Sequence, residues 1–243
     1  MGETSTDSSG HRQRLHKRFA RNGLEGLQDY EAVELLLTYA IPRKDVKPLA
    51  KMLLEHFQNI SGLLHAPMNE LLSVPGVGPR TAALILLMRE LMIKSLEQDV
   101  REKPVINDRQ DLCNFLRMKI GGEKKETLMI FYLDSCRHLL EYDICLGTVD
   151  HTAVYAREII EHALICHACG IILAHNHPSG NCEPSAEDLH LTRHLRDTLA
   201  RLGIELVDHV IVTRKGIRSF LPLPSGQKPP SAFAVCENNS DDR

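Results

Sequence analysis

The strongest constraint on what this chain can fold into lies between residues 170 and 188. Gly170-Ile-Ile-Leu-Ala174 is a short apolar run of branched side chains, which predicts a buried strand. It runs directly into His175-Asn-His177-Pro-Ser-Gly-Asn-Cys-Glu-Pro-Ser185-Ala-Glu-Asp188. Alternate strand residues face one side, roughly 6–7 Å apart at the backbone, so His175 and His177 can converge on one metal ion. The Pro-Ser-Gly turn is followed by a helical restart near Ser185. Asp188 then falls in the first turn, from which its carboxylate can fold back as a third ligand. Two imidazoles, one carboxylate and a position left for water form the ligand set of a catalytic zinc rather than a structural one. A plainer reading stands beside this one. Ser185 followed by an acidic residue at the third helical position is also what a helix cap looks like. The cap accounts for the Ser–Asp spacing but not for the His-x-His in front of it.

Bulk properties bound the rest. A chain of 243 residues can hold two modest domains. A net charge of −3 excludes any global attraction to nucleic acid, so a basic contact surface must be local. Seven scattered cysteines and a start without a secretory-type apolar segment predict reduced thiols in a cytoplasmic protein. No apolar run approaches the about 18–20 residues that cross a bilayer, so no membrane partner is expected. Cys166-His-Ala-Cys169 lacks a second cysteine pair and reads as packed thiols rather than a zinc or redox site.

Two regions emerge along the chain. Residues 1–10 are small and polar and predict a disordered tail, while 11–21 carry Arg12, Arg14, Lys17, Arg18 and Arg21 with no acidic residue. From residue 30 to 94 apolar side chains recur every three or four positions, predicting helices over 31–38, 46–57, 60–65, 68–73 and 81–95. The charged, proline-ended stretch 95–104 reads as a linker. Beyond it a helix over 109–118 leads to strands over 126–133 and 138–145. Helices over 156–167 and 185–202 flank the histidine-bearing strand, and strands over 205–212 and 217–221 follow. This order predicts a layered α/β domain. The proline- and serine-rich segment 224–243 reads as a second disordered tail.

Leu71-Leu-Ser-Val-Pro75-Gly76-Val77-Gly78-Pro79-Arg80 resembles a helix-hairpin-helix motif. Gly76 and Gly78 let the backbone turn tightly, and the open N–H groups at the following helix start, with Arg80, can cradle a phosphate of double-stranded DNA. An ordinary turn between helices uses the same residues. The segment 39–44 reads as a degenerate second hairpin without the glycines.

The metal-site pattern resembles the JAB/MPN (JAMM) metalloprotein signature. His175-Asn-His177-Pro-Ser-Gly, with Gly147-Thr-Val-Asp-His upstream and Asp208-His-Val-Ile downstream, is similar to the RadC family over about residues 11–223. The resemblance implies a helical helix-hairpin-helix domain over 11–96 and a mixed α/β JAB/MPN domain over 104–223. The latter would have the layered, cytidine-deaminase-like architecture without the deaminase ligand pattern. It implies one zinc per chain, held by His175, His177 and Asp188, with Ser185 as donor to a developing oxyanion. Glu126, at the head of a strand, fits the place of the family's general acid/base, with Glu158 as competitor. The implied function is a zinc-dependent hydrolase of a peptide or isopeptide bond. The alternative is a non-catalytic, DNA-binding, repair-associated protein with a structural metal; a nuclease fits less well, because phosphodiester hydrolysis often uses two clamped metals. Asp208 and His209 read as supporting or structural residues.

Overall fold

The computed structural model describes residues 5–105, 109–146, 152–214 and 216–221. The chain divides into two compact units after Leu91. The segment 224–243, read from sequence as a tail, lies outside the described residues.

The first unit contains α1 (Ser5–Asn22), α2 (Asp29–Ala40), α3 (Lys47–Phe57), α4 (Ile60–Leu64), α5 (Met68–Ser73) and the opening turns of α6 (Pro79–Glu102). Its core is the apolar stripe expected from the helical spacing: Leu37, Leu53, Leu63, Leu71 and Ile85 are buried together. Local chemistry sets the breaks. The Asn59 side chain accepts the Gly62 N–H at 2.8 Å to start α4. Two of the basic residues of α1 are structural. Arg12 donates to the carbonyls of Ile41 and Lys44 at 3.2 and 2.9 Å. Arg18 makes a two-pronged contact with buried Glu31 at 2.7 and 3.0 Å. The expectation of a disordered 1–10 is amended: α1 already begins at Ser5. Helix propagation is cooperative, so the turns started by the basic segment extend back through polar neighbours.

The linker expected over 95–104 is also amended. α6 continues to Glu102, and Val100 is buried. Ile93, Leu96 and Val100, spaced three and four apart, turn one stripe of this charged stretch into the core of the second unit.

That unit is a five-stranded sheet in the order β2-β1-β3-β4-β5, built of β1 (Thr127–Leu133), β2 (Leu139–Leu146), β3 (Gly170–Asn176), β4 (Glu205–Val212) and β5 (Ile217–Ser219). One face, through Met129, Phe131, Ile172, Ala174 and Val210, packs on Phe115 and Leu116 of α7 (Arg109–Lys119). The other, through Ile130, Tyr132, Ile171 and Leu173, packs on Ile159 of α8 (Thr152–Ile165) and on Leu195 and Leu199 of α9 (Ala186–Arg201). The unit is therefore a mixed α/β sandwich of helix, sheet and helix layers. Strand β3 is central, antiparallel to β1 and parallel to β4, and every one of its residues is buried.

Helix α8 is tied to the sheet edge by charge. His162 Nδ1 lies 2.5 Å from Asp143 Oδ2, and its Nε2 lies 3.0 Å from Glu141 Oε2. The Tyr132 hydroxyl donates to the same Asp143 oxygen at 2.8 Å. The bond to Asp143 raises the His162 pKa above its ordinary 6.5, against the opposing effect of burial and with help from Glu141. A raised folded-state pKa means that this tie is fully present below 6.5 and is lost as pH rises through the folded value. A proton NMR titration of His162 should therefore show a midpoint above 6.5 that falls toward it in Asp143→Asn. A wild-type midpoint at or below 6.5 would contradict the tie.

Candidate metal centre

The site is built where β3 ends. Strand alternation directs His175 toward the face that carries Ile171 and Leu173. Beyond the strand, the His177 N–H still bonds the Val212 carbonyl at 2.9 Å, which holds the chain in line with β4. A tight turn follows, closed by the Gly180 N–H on the His177 carbonyl at 3.0 Å. Gly180 adopts φ 81°, a region that disfavours side chains. The turn carries the Asn181 carbonyl to within 2.7 Å of His177 Nδ1. A carbonyl can only accept, so Nδ1 bears the hydrogen, and neutral His177 presents a bare Nε2 to the site.

Helix α9 supplies the carboxylate. Ser185 caps it: its Oγ accepts the Asp188 N–H at 3.1 Å, while the Ser185 N–H donates to Asp188 Oδ2 at 2.7 Å. The Ser185 hydroxyl also donates to Oδ2 at 2.7 Å. The cap thus also places the carboxylate, because the reciprocal bonds that start the helix turn Asp188 onto the imidazoles. Oδ1 lies 3.2 Å from His175 Nε2, and Oδ2 lies 3.4 Å from His177 Nε2. The two Nε2 atoms are 2.9 Å apart. One ligand atom from each of His175, His177 and Asp188 lies within 4.8 Å of the others. His175 and Asp188 are buried, and His177 is half-buried, so the cluster opens on the His177 side.

Electrostatics follow from this crowding. Burial pushes the Asp188 carboxyl up, but the bonds from His175 and His177 outweigh it and hold the group well below the usual carboxylate range. The partnership with Asp188 raises His177 against burial. His209, fully buried behind His175, is pushed well below 6.5 by that burial. On the opposite face of β4, burial pushes Asp208 up to about 6, opposed by the Ser219 hydroxyl and by Arg109 at 3.0 Å. Asp208 is thus an anchor for α7, not a ligand.

Glu126 is half-buried one residue ahead of β1. The pairing of Leu128 with His175, carried two residues outward, sets Glu126 opposite His177, and its charge helps raise the His177 pKa. Glu158 is exposed on α8 and acts electrostatically on Cys145 of β2. Cys166 and Cys169 carry free thiols. In the first unit, Gly76 adopts φ 92° between α5 and α6, Gly78 gives its carbonyl to the N–H groups of Thr81 and Ala82, and Arg80 is exposed.

Three contributors escape a reading by spacing alone. Asn176, between the histidines, faces the other way and is buried. Its Oδ1 accepts the Thr127 N–H at 2.8 Å, and its Nδ2 donates to the carbonyls of Glu123 and Lys125 at 3.0 and 3.1 Å. It thereby fastens the segment that presents Glu126. Thr192 stands one turn after Asp188 and contacts His209. Asn181 fixes His177. The available signal for Asn176 was its place at the end of an apolar strand, where a buried amide needs partners.

Residues 106–226 match the family described as RadC-like JAB domain, and residues 8–83 match UPF0758 N-terminal. A UPF0758 protein of Fusobacterium nucleatum subsp. nucleatum is 37% identical over 223 residues, which cover 88% of this chain and 96% of that protein. The chain belongs to the RadC family. Its RadC-like domain takes in the whole sheet, the three clustered side chains, Glu126 and Ser185.

Replacing Asn176 by Ala in this RadC chain strands one backbone donor and two carbonyls at the strand end. Urea unfolding should show a loss of about 2–4 kcal/mol with little change in slope. A loss below about 0.5 kcal/mol, the level of an ordinary surface change, would contradict the clamp.

Proposed function

We propose that this protein is a metal-dependent hydrolase of the JAB/MPN type, acting on a peptide or isopeptide bond with one zinc per chain. The observation that carries the reading is the buried convergence of two imidazole nitrogens and a carboxylate, one of those nitrogens left bare by the Asn181 carbonyl. Electron-rich atoms brought this close repel one another unless a cation lies among them. Nitrogen and oxygen donors in this ratio suit zinc, and the His177 side, where the ring keeps partial exposure, leaves a direction for water and substrate. Zinc held there would supply a Lewis acid that brings the pKa of water toward neutrality.

The chain's own residues divide the remaining work. Glu126 takes the proton from the attacking water and passes it to the leaving nitrogen as the carbon–nitrogen bond breaks, so it ends the cycle as it began. Ser185, at the rim of the same cluster, redirects its hydroxyl from Asp188 to the developing oxyanion. Asp188 and His177 hold their orientation through backbone partners and need no rearrangement.

A second reading concerns the first unit: contact with double-stranded DNA through Gly76, Gly78 and Arg80. It is supported by the exposed glycine turn that opens α6 and by exposed Arg14, Lys17 and Arg21 on α1. Such contact is to backbone phosphate, so affinity should fall steeply with salt and show little dependence on sequence. Duplex titrations at two salt concentrations test it, and salt-independent or absent binding contradicts it.

For the hydrolase, the untagged chain should carry about one zinc after reconstitution, as a single three-ligand site requires. His177→Ala and Asp188→Ala should lose it. Glu126→Gln should keep the zinc and lower turnover of peptide or isopeptide substrates by about 10²–10⁴-fold. Hydrolysis undiminished in Glu126→Gln or in the zinc-free variants would contradict the proposal.

A further inference from the structure

The geometry points to Thr192 and His209 as positioning residues that fix which nitrogen of His175 faces the metal, an inference that rests on the metal reading above. Thr192 Oγ1 lies 2.5 Å from the Asp188 carbonyl oxygen and 2.6 Å from His209 Nδ1. A hydroxyl has one hydrogen, and a carbonyl can only accept. The hydrogen therefore goes to Asp188, and the hydroxyl oxygen turns its lone pair to His209. His209 Nδ1 must be the donor.

His209 is 0% exposed. Its ring meets the His175 imidazole, the Thr192 hydroxyl and the ring of Phe220, whose centroid is 4.4 Å away. A neutral imidazole has one ring hydrogen, and the Thr192 oxygen, its own hydrogen given to Asp188, holds it at Nδ1. With Nδ1 protonated, Nε2 is bare. His175 Nδ1 lies 2.9 Å from that bare nitrogen and so must carry the hydrogen. His175 Nε2 is then left with its lone pair directed at His177 and Asp188. Each link dictates the next, from a threonine hydroxyl to the donor atom of a metal ligand two groups away.

The arrangement is unlike the usual one, in which a ligating imidazole leans on a carboxylate, a carbonyl or water. Here a second histidine is the support, and a histidine can support either tautomer. If its hydrogen moved to Nε2, His175 Nδ1 would become the acceptor and His175 Nε2 would carry a hydrogen into the metal position. Among the described residues it is Thr192, whose oxygen takes the Nδ1 hydrogen, that forbids this. A β-bulge makes the contact possible: Ile171 pairs with Leu206 but Ile172 pairs with Asp208. The extra residue, Val207, puts His209 on the same face as Leu206, against His175 and α9.

The test is made on the full chain labelled with ¹⁵N-histidine, zinc-free and zinc-loaded, with long-range nitrogen–proton NMR correlations to assign each ring hydrogen. Zinc affinity is read in parallel by competition with a chelating dye. The wild type should show His209 protonated at Nδ1 and bare at Nε2, with a hydrogen on His175 Nδ1. Thr192→Val should mix the His209 tautomers and weaken zinc binding by about ten- to a hundredfold. Thr192→Ser, which keeps the hydroxyl, should restore both. A hydrogen on His209 Nε2 in the zinc-free wild type overturns the inference. So does a Thr192→Val protein with wild-type tautomers and zinc affinity. Should Thr192→Val fail to fold, the wild-type tautomers decide alone. A wild type that takes up no zinc while showing the expected tautomers sinks the metal reading instead, so the two failures are distinguishable.

Discussion

Three polar side chains in succession, His175 and Asn176 at the end of β3 and His177 just beyond it, close a strand that is otherwise apolar and buried on both faces. Each buried polar group left without a partner would cost about 1–3 kcal/mol, so the strand end holds only because its surroundings satisfy all three. His175 finds His209 of β4, Asn176 finds the backbone of residues 123–127, and His177 finds the Asn181 carbonyl. Strand alternation sends these demands in different directions, and the directions define the site. Toward α9 lies the cluster of His175, His177 and Asp188. Asn176, facing the other way, fastens the segment that bears Glu126. The placements of the cluster and of Glu126 are thus two consequences of one strand end.

Much of this was legible because it is local. Periodicity marked β4 over the residues it occupies and β1 to within one residue, since alternation and apolar runs depend on near neighbours. The His-x-His spacing and the Ser185–Asp188 spacing were legible for the same reason, and the cap at Ser185 turns the Asp188 carboxylate toward the imidazoles. What was not legible depends on neighbours distant in sequence. A bulge between the pairings of Ile171 and Ile172 decides that His209, not Asp208, faces His175, and a single-residue slip leaves no mark on a periodic pattern. Asn176 resembled a spacer between two histidines until its three backbone partners were in view.

Charge misled where composition stood in for arrangement. The stretch 95–102 carries charge around most of its circumference, yet Ile93, Leu96 and Val100 form one apolar stripe, and the helix continues. In α1, two members of the basic run, Arg12 and Arg18, are spent on holding the first unit together. Membership in the RadC family covers both units, while the His175, His177 and Asp188 cluster lies in the second. Among the described residues, no helix is long and apolar enough to cross a membrane.

The central claim is that His175, His177 and Asp188 form a nitrogen- and oxygen-ligated metal centre. X-ray absorption at the zinc edge of the reconstituted chain tests it most directly. The account predicts a first shell of nitrogen and oxygen scatterers at about 2.0–2.2 Å, with the outer-ring pattern of two imidazoles and no sulfur. A sulfur shell at about 2.3 Å would move the zinc to the cysteines and contradict the account.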